Sequence, residues 1–235
     1  VIPITTLSDS EKKQIEMKYQ EFARQGLRVL AFAQRTKIKA TNQIESELKQ
    51  AEFIGLVAIA DTIRPEAIKA VAKAKKASIK VVMITGDNEL TAKAIGEQVG
   101  ILKENDEIML GSQLEELSDE ELDKRIRQVA VFARCIPEHK LRIVQSYQRL
   151  GEVVAVTGDG VNYALALKQS QIGVAMGKIG TDVAKEASDM VIQDDNFATL
   201  VDAIEQGRLI YSNILKTVKF LMAGNLSEVL RSEEH

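Results

Sequence analysis

Residues 153–162 have the sequence VVAVTGDGVN, which joins a short apolar run to a loop of small and polar residues. The run predicts a buried strand at 153–156, and the glycines at 158 and 160 allow a tight turn directly after it. In open parallel sheets, ligands bind just past the carboxyl ends of the strands. Asp159 is therefore a candidate site residue, with a carboxylate suited to a hard cation such as Mg²⁺.

The tripeptide of this loop occurs a second time, as Thr85-Gly86-Asp87, after an apolar run at 79–84. The threonine supplies a hydroxyl donor, and the helix that follows offers free backbone N–H groups to an anion. One alternative is that each aspartate only caps the next helix. Two copies at matching strand ends favour a metal and phosphate site instead.

Short apolar runs alternate with helical segments from residue 51 onward. The runs lie at 53–60, 79–84, 129–133, 153–156, 172–176 and 190–192. Helices are predicted near 65–77, 89–99, 119–127, 137–149, 162–169 and 181–187. This alternation predicts an α/β fold with a Rossmann-like parallel sheet flanked by helices. Upstream, Ser8 and Glu11 form a capping pattern before a helix that ends near Gly26, and a strand follows at 28–33. Residues 37–50 are polar and are expected to form a loop or short helix.

The bulk composition excludes some classes of protein. The net charge of −3 argues against a nucleic-acid partner, because such domains usually carry a basic excess. The single cysteine, Cys135, excludes an internal disulfide and fits a reducing, cytoplasmic setting. No run approaches the roughly 18 apolar residues of a membrane helix, so this stretch of chain is expected to be soluble.

A further candidate is Lys140, in the segment ARCIPEHK at 133–140. Pro137 is expected near the first turn of a helix, which places Lys140 close to the positive end of the helix dipole. A phosphate would compensate that charge, although a solvated surface lysine is the alternative. Cys135 and His139 lack the further ligands of a zinc site and are expected to be structural.

These motifs resemble those of P-type ATPases, members of the haloacid dehalogenase-like superfamily. The resemblance rests on Thr85-Gly86-Asp87 with the residues up to 101, on Lys140 and on the loop 157–162, and it covers nearly the whole chain. The stretch GKIGTDVAKEASDMVIQDDNFATL at 177–200 is especially similar to the calcium-pump branch. The segment ADTIRPE at 60–66 resembles the family's D-P-x-R-x-E turn, with Thr62 in place of the usual proline.

The resemblance implies roles for particular residues. Asp159 would bind the Mg²⁺ that neutralises a transferring phosphoryl group. The residues expected to contact or surround that group are Lys140, Thr85, Gly86, Asp87 and Asn162. Arg28 and Arg134 would bind the nucleotide, ATP. These roles agree with the physics of phosphoryl transfer, in which positioning and charge neutralisation dominate.

The resemblance also implies a domain organisation. Residues 1–50, which include GLRVLAFA at 26–33, would be the C-terminal part of a nucleotide-binding domain. Residues 51–204 would be the phosphorylation domain, lacking the first strand of its sheet, and residues 205–235 a stalk helix leading to a membrane segment. The implied partners are ATP or phosphate and the remainder of a cation pump, at the cytoplasmic face of a membrane.

Two departures from the family pattern bear on activity. The nucleophilic aspartate of the family lies in a D-K-T-G-T motif, and these residues contain none. The family's G-D-G-V-N-D-A-P-A-L-K is GDGVNYALALK here, so Tyr163 replaces a carboxylate and Leu165 a proline. Loss of that carboxylate beside the Mg²⁺ is expected to weaken metal binding, and the chain alone is expected to be inactive.

Three hypotheses therefore remain. The first is part of a cation-pumping ATPase, with calcium favoured by residues 177–200. The second is a soluble phosphatase of the same superfamily, which would require a D-x-D motif near its start. The third is a phosphate- or nucleotide-binding module without catalysis. In addition, the apolar residues at 210–230 are expected either to pack on the domain or to drive self-association.

Overall fold

The computed structural model describes residues 5–35, 51–60 and 62–232, with side chains to residue 225. The segment 37–50 and Asp61 of the predicted turn lie outside the described residues. The helices are α1 (Asp9–Arg24), α2 (Pro65–Lys76), α3 (Glu89–Val99), α4 (Gly111–Glu116), α5 (Asp119–Arg125), α6 (Pro137–Arg149), α7 (Ala164–Gln169), α8 (Asp182–Glu186) and α9 (Phe197–Ser232). The strands are β1 (Arg28–Gln34), β2 (Glu52–Ile59), β3 (Met83–Ile84), β4 (Glu107–Leu110), β5 (Val129–Ala133), β6 (Ala155–Gly158), β7 (Ile172–Met176) and β8 (Met190–Ile192).

The first two strands form an antiparallel pair, in which Leu30 lies opposite Val57. The apolar run at 53–60 was expected in the parallel sheet, and that expectation is wrong, because β2 pairs with β1 instead. An apolar run predicts a strand but does not specify its partner. The domain boundary expected at residue 50 lies between these two strands, which are bonded to each other. That boundary stays a prediction.

The other six strands form two parallel sheets of three strands each. In one, β5 lies between β3 and β4; in the other, β7 lies between β6 and β8. Within the described residues, no strand joins the two sheets. The predicted α/β class with parallel strands and flanking helices is confirmed, and the sheet is divided in two.

The core of the first sheet surrounds its central strand. All five residues of β5 are buried, since the strand is covered on both faces. On one side its neighbours include Met109, Leu114, Leu122 and Ile126, all fully buried. Because both faces of β5 are covered, its carboxyl end has a defined position. The segment 134–140 leaves the sheet from that end.

The last helix, α9, begins at Phe197 and runs without interruption to Ser232, so it starts before the expected residue 205. Its first turns pack on the domain through the buried Leu200 and Val201, and Lys73 of α2 bonds to Asp202 and Glu205. Further along, its large apolar side chains are exposed: Leu209, Ile210, Tyr211, Ile214, Leu215, Val218, Phe220, Leu221 and Met222. Self-association through this face stays a prediction. Among the described helices, none has the length and apolar character needed to cross a bilayer.

Candidate functional site

The loop after β3 is held in shape by its own side chains. The Thr85 hydroxyl donates to the Asp87 carboxylate at 3.0 Å and accepts from the Asp87 backbone N–H at 3.1 Å. Gly86 between them is exposed, while Thr85 and Asp87 are half-buried. The loop therefore presents a backbone turn with a carboxylate whose orientation is fixed by its neighbour.

Neither aspartate of the two repeated loops caps a helix. The cap of α3 is Asn88, whose side-chain oxygen accepts from the Thr91 N–H at 3.0 Å. Gly160 precedes the 3₁₀ turn Val161–Tyr163, without a side-chain cap. The alternative that Asp87 and Asp159 serve only as helix caps is therefore wrong.

The loop after β5 lies directly against the loop after β3. The backbone N–H of Arg134 donates to the Asp87 carbonyl at 2.9 Å, and that of Cys135 donates to the Thr85 carbonyl at 2.9 Å. Arg134 has φ +52°, a left-handed conformation that costs a non-glycine residue about 1–2 kcal/mol. Because the ends of β3 and β5 meet at one edge of the sheet, the first two predicted site segments are brought together.

Lys140 lies in α6 just after these loops, and it is buried, with 8% of its surface exposed. Its ammonium nitrogen lies over the ring of Tyr163, 3.3 Å from the centroid. Among the described residues, no carboxylate forms an ion pair with it and no carbonyl accepts from it. Cation–π contacts contribute on the order of 0.5–2 kcal/mol but leave the charge uncompensated. The alternative of a solvated surface lysine is wrong.

Tyr163 belongs to the second repeated loop, which follows β6. A Cβ atom on Gly158 would lie 2.5 Å from Cβ and 2.6 Å from Cγ of Tyr163, so the ring and the loop fit together only with glycine at 158. Asp159 is exposed, and its backbone carbonyl accepts from the Thr181 N–H at 2.8 Å. Asn162 is exposed beside it. The contact between Lys140 and Tyr163 thus joins this loop to the segments after β3 and β5.

Sequence reasoning missed Asp195, which holds the loop 177–181 in place. Asp195 is buried, has φ +54°, and its carboxylate accepts from the backbone N–H groups of Lys178 at 2.9 Å and Ile179 at 3.0 Å. Burial raises the pKa of this carboxyl, but these backbone hydrogen bonds outweigh it and hold the pKa below its ordinary value. The sequence signal that could have indicated this role was the pair Asp194-Asp195, which lies between a short strand and the start of a helix.

Arg28 is a predicted residue that no described contact joins to this group. It is exposed on β1, and the neighbouring Leu27 carbonyl accepts from the Thr91 hydroxyl in the first turn of α3. No described hydrogen bond joins Arg28 to Lys140 or Asp159. Its role toward a nucleotide stays a prediction.

His139 and Cys135 are both accounted for by local contacts. The buried His139 ring bonds to Glu115 at 2.9 Å and accepts from the Ile136 N–H at 3.3 Å. Burial raises the pKa of the Cys135 thiol to about 11, although the nearby Lys140 ammonium partly opposes this. The thiol is therefore protonated at neutral pH and is a poor nucleophile or metal ligand.

The described residues contain no group of three or more histidine, cysteine or acidic side chains arranged to hold a metal ion. Mg²⁺ commonly binds proteins through one or two carboxylates, with water and substrate phosphate completing its shell. The exposed Asp159 carboxylate at the end of a parallel strand fits that mode. The donor set is therefore compatible with Mg²⁺ bound together with a phosphate.

The parallel strands, with loops at their carboxyl ends and helices on either side, are those of a known class of hydrolase. The chain belongs to the haloacid dehalogenase-like hydrolase family, whose sequence profile matches residues 6–171. It is 49% identical over 224 residues to the calcium-transporting ATPase of Bacillus subtilis and 42% identical over 224 residues to calcium-transporting ATPase 1 of Saccharomyces cerevisiae. It is also 42% identical over 242 residues to a sodium/potassium exporting P-type ATPase of Schizosaccharomyces pombe. These alignments cover 95%, 94% and 96% of this chain, which spans about a quarter of each relative. The resemblance to P-type ATPases is confirmed.

Proposed function

We propose that these residues form the phosphate-handling part of an ATP-driven cation pump at the cytoplasmic face of a membrane. The observation that carries the proposal is Lys140, a buried cation without an anionic partner among the described residues, beside two Thr-Gly-Asp loops. A phosphoryl group placed there would accept a hydrogen bond from the Lys140 ammonium. It would accept one from the Thr85 hydroxyl once that hydroxyl releases the Asp87 carboxylate, to which it donates in this structure. Asp159 would hold Mg²⁺, which supplies positive charge to a phosphoryl group when bound.

The ion is proposed from the relatives. Those from Bacillus subtilis and Saccharomyces cerevisiae are named for calcium, whereas that from Schizosaccharomyces pombe is named for sodium and potassium. We propose calcium, because identity is higher to the Bacillus protein and residues 177–200 are most similar to the calcium-pump branch. Arg28, Arg134 and Asn162 are proposed to contact ATP or its phosphates.

A second proposal concerns turnover. The 235 residues contain no Asp-Lys-Thr-Gly-Thr motif, and a phosphoenzyme requires the aspartate of such a motif as nucleophile. Tyr163 also supplies no carboxylate beside Asp159. These residues by themselves are therefore proposed to bind phosphate or ATP without hydrolysing it, and hydrolysis of a phosphomonoester by the chain would favour the soluble phosphatase instead.

A chimera tests the pump proposal. The matching quarter of the Bacillus subtilis relative is replaced by this chain, and calcium-dependent ATP hydrolysis and calcium uptake are measured in membrane vesicles. We expect low activity that rises with Tyr163→Asp and disappears with Lys140→Met. The matched control is Lys80→Met, since Lys80 lies near an aromatic ring, Tyr147, but donates to the Ile126 and Arg127 carbonyls away from the site. Equal activity of the Lys140 and parent chimeras contradicts the proposal.

A further inference from the structure

The contact between Tyr163 and Lys140 bears on how an anion binds at this site. Lys140 is more than nine-tenths buried, and its nitrogen faces an aromatic ring rather than a carboxylate. A ring face attracts a cation through its quadrupole and contributes no net negative charge. Among the described residues, the Lys140 ammonium therefore has no carboxylate partner that would have to be displaced by an incoming anion.

The Tyr163 side chain packs against two other parts of the chain. Cβ and Cγ of Tyr163 fill the space that a side chain on Gly158 would occupy. The same side chain packs against the buried cluster of Leu167, Ala175 and Ala184, of which Ala175 belongs to β7. The ring therefore packs on two sides in the position where it contacts the Lys140 ammonium.

The carboxylates near the loops are arranged differently. Asp87 accepts from the Thr85 hydroxyl, and its backbone carbonyl and that of Thr85 are bonded to the segment after β5. Asp159 is exposed, so water and salt screen its charge. Among the described residues, no group of three or more histidine, cysteine or acidic side chains is arranged to hold a metal ion.

We propose that Tyr163 makes this site bind a phosphate dianion at Lys140 without a divalent cation. The inference rests on the proposed function, since it concerns the same site, and it assigns to Tyr163 a positioning role. The neutral ring holds the ammonium in place and leaves its N–H donors for phosphate oxygens. Mg²⁺ then joins through Asp159 only after the anion is present.

Calorimetric titration of the 235-residue chain with inorganic phosphate at about pH 8 tests this, once with a chelator and once with excess Mg²⁺. We expect a measurable dissociation constant for phosphate in the chelator buffer. Excess Mg²⁺ should lower that constant further, because a cation that binds the phosphate complex tightens phosphate binding. Lys140→Met should abolish binding in both buffers, and Lys80→Met should leave it unchanged.

Substitutions of Tyr163 separate the ring from the bulk of the side chain. Tyr163→Phe keeps the π face and should retain metal-free binding. Tyr163→Leu keeps an apolar side chain without the π face and should weaken binding about fivefold, as expected for loss of a partly desolvated cation–π contact. Tyr163→Asp should weaken metal-free binding at least about tenfold by pairing with Lys140, and Mg²⁺ should restore it. Thermal unfolding of each variant identifies changes that come from misfolding.

The outcomes are distinct. Wild-type binding of phosphate only in Mg²⁺, or equal metal-free affinity of the leucine and phenylalanine variants, overturns this inference and leaves the proposed function standing. Absence of phosphate binding in both buffers overturns both. Metal-free binding that survives Lys140→Met places the anion elsewhere and also overturns the inference.

Discussion

The backbone N–H of Thr181 donates a 2.8 Å hydrogen bond to the backbone carbonyl of Asp159. The loop that ends at Thr181 is itself held by the buried Asp195 carboxylate through Lys178 and Ile179. The position of the proposed Mg²⁺ ligand thus depends on an acidic residue of the stretch 177–200 to which sequence reasoning assigned no role.

Replacement of Asp195 should therefore change the affinity of the proposed metal site for Mg²⁺. We expect Asp195→Ala to lower the affinity for Mg²⁺ in the presence of phosphate about tenfold, the low end for residues that orient metal ligands. The matched control is Asp194→Ala, because Asp194 is exposed and bonds to Thr199 instead of the loop. Calorimetry measures the affinity, and equal values for the two variants contradict the role of Asp195.

Acidification should weaken the same anchor. The pKa of Asp195 is lowered in the folded chain: burial raises it, but the backbone N–H groups of Lys178, Ile179 and Gly177 outweigh that effect. A lowered folded pKa contributes stability that is present above the ordinary value of about 3.9 and is lost as pH falls through the folded pKa. Unfolding by urea between about pH 6 and pH 3 should show wild type losing more stability than Asp195→Asn, and parallel curves would contradict this.

The glycine beneath Tyr163 should not tolerate a side chain. Gly158→Ala would place a methyl group 2.5 Å from Tyr163 Cβ, and such overpacking costs about 1–3 kcal/mol. Gly207→Ala is the control, since its methyl group would meet nothing within 4 Å on α9, and alanine should stabilise that helix by up to about 1 kcal/mol. Opposite signs of the two changes in free energy of unfolding are the expected result.

The Asn88 cap of α3 should contribute measurably to the free energy of unfolding. Asn88→Ala removes the hydrogen bond to the Thr91 N–H and should lower the free energy of unfolding by about 1 kcal/mol. Asn88→Asp keeps an acceptor at that position and should restore most of the loss. Urea unfolding of the three chains decides the matter, and an unchanged alanine variant would show that the cap is dispensable.

The tyrosine that replaces a family carboxylate should limit Mg²⁺ binding. Tyr163→Asp adds a hard oxygen ligand near Asp159 and should tighten Mg²⁺ about tenfold, close to 1.4 kcal/mol. Titration with Mg²⁺ in the presence of phosphate measures this, with Tyr163→Asn as the uncharged control. Equal Mg²⁺ affinities of the wild type and Tyr163→Asp would contradict this prediction.

Much of the fold could be predicted because parallel strands in a buried sheet have continuous apolar runs. β5 and β7 lie at the predicted positions for this reason. β6 begins two residues later than expected, because Val153 is apolar but 77% exposed. β4 was missed, since it begins at Glu107, the last residue of the polar segment 103–107, and has only four residues.

The site was only partly predictable. The loops at 85–87 and 157–160 carry local chemical signals, and the structure joins them through Lys140 and Tyr163. The contact of the lysine with the ring, and the anchoring by Asp195, arise between segments distant in sequence. No local pattern specifies such a contact, because it depends on which strands become neighbours.

The division into two parallel sheets has a consequence for how the chain folds. In the second sheet, Thr157 pairs with Val174 and Val174 with Met190, so each pairing closes a short loop. In the first, Met83 pairs with Val131, and a longer loop must close at a greater entropic cost. We expect the second sheet to form earlier. Lys140 follows the central strand of the first sheet, β5, and Tyr163 follows the first strand of the second sheet, β6. Their contact is therefore completed only when both sheets have formed, and it reports the final stage of folding.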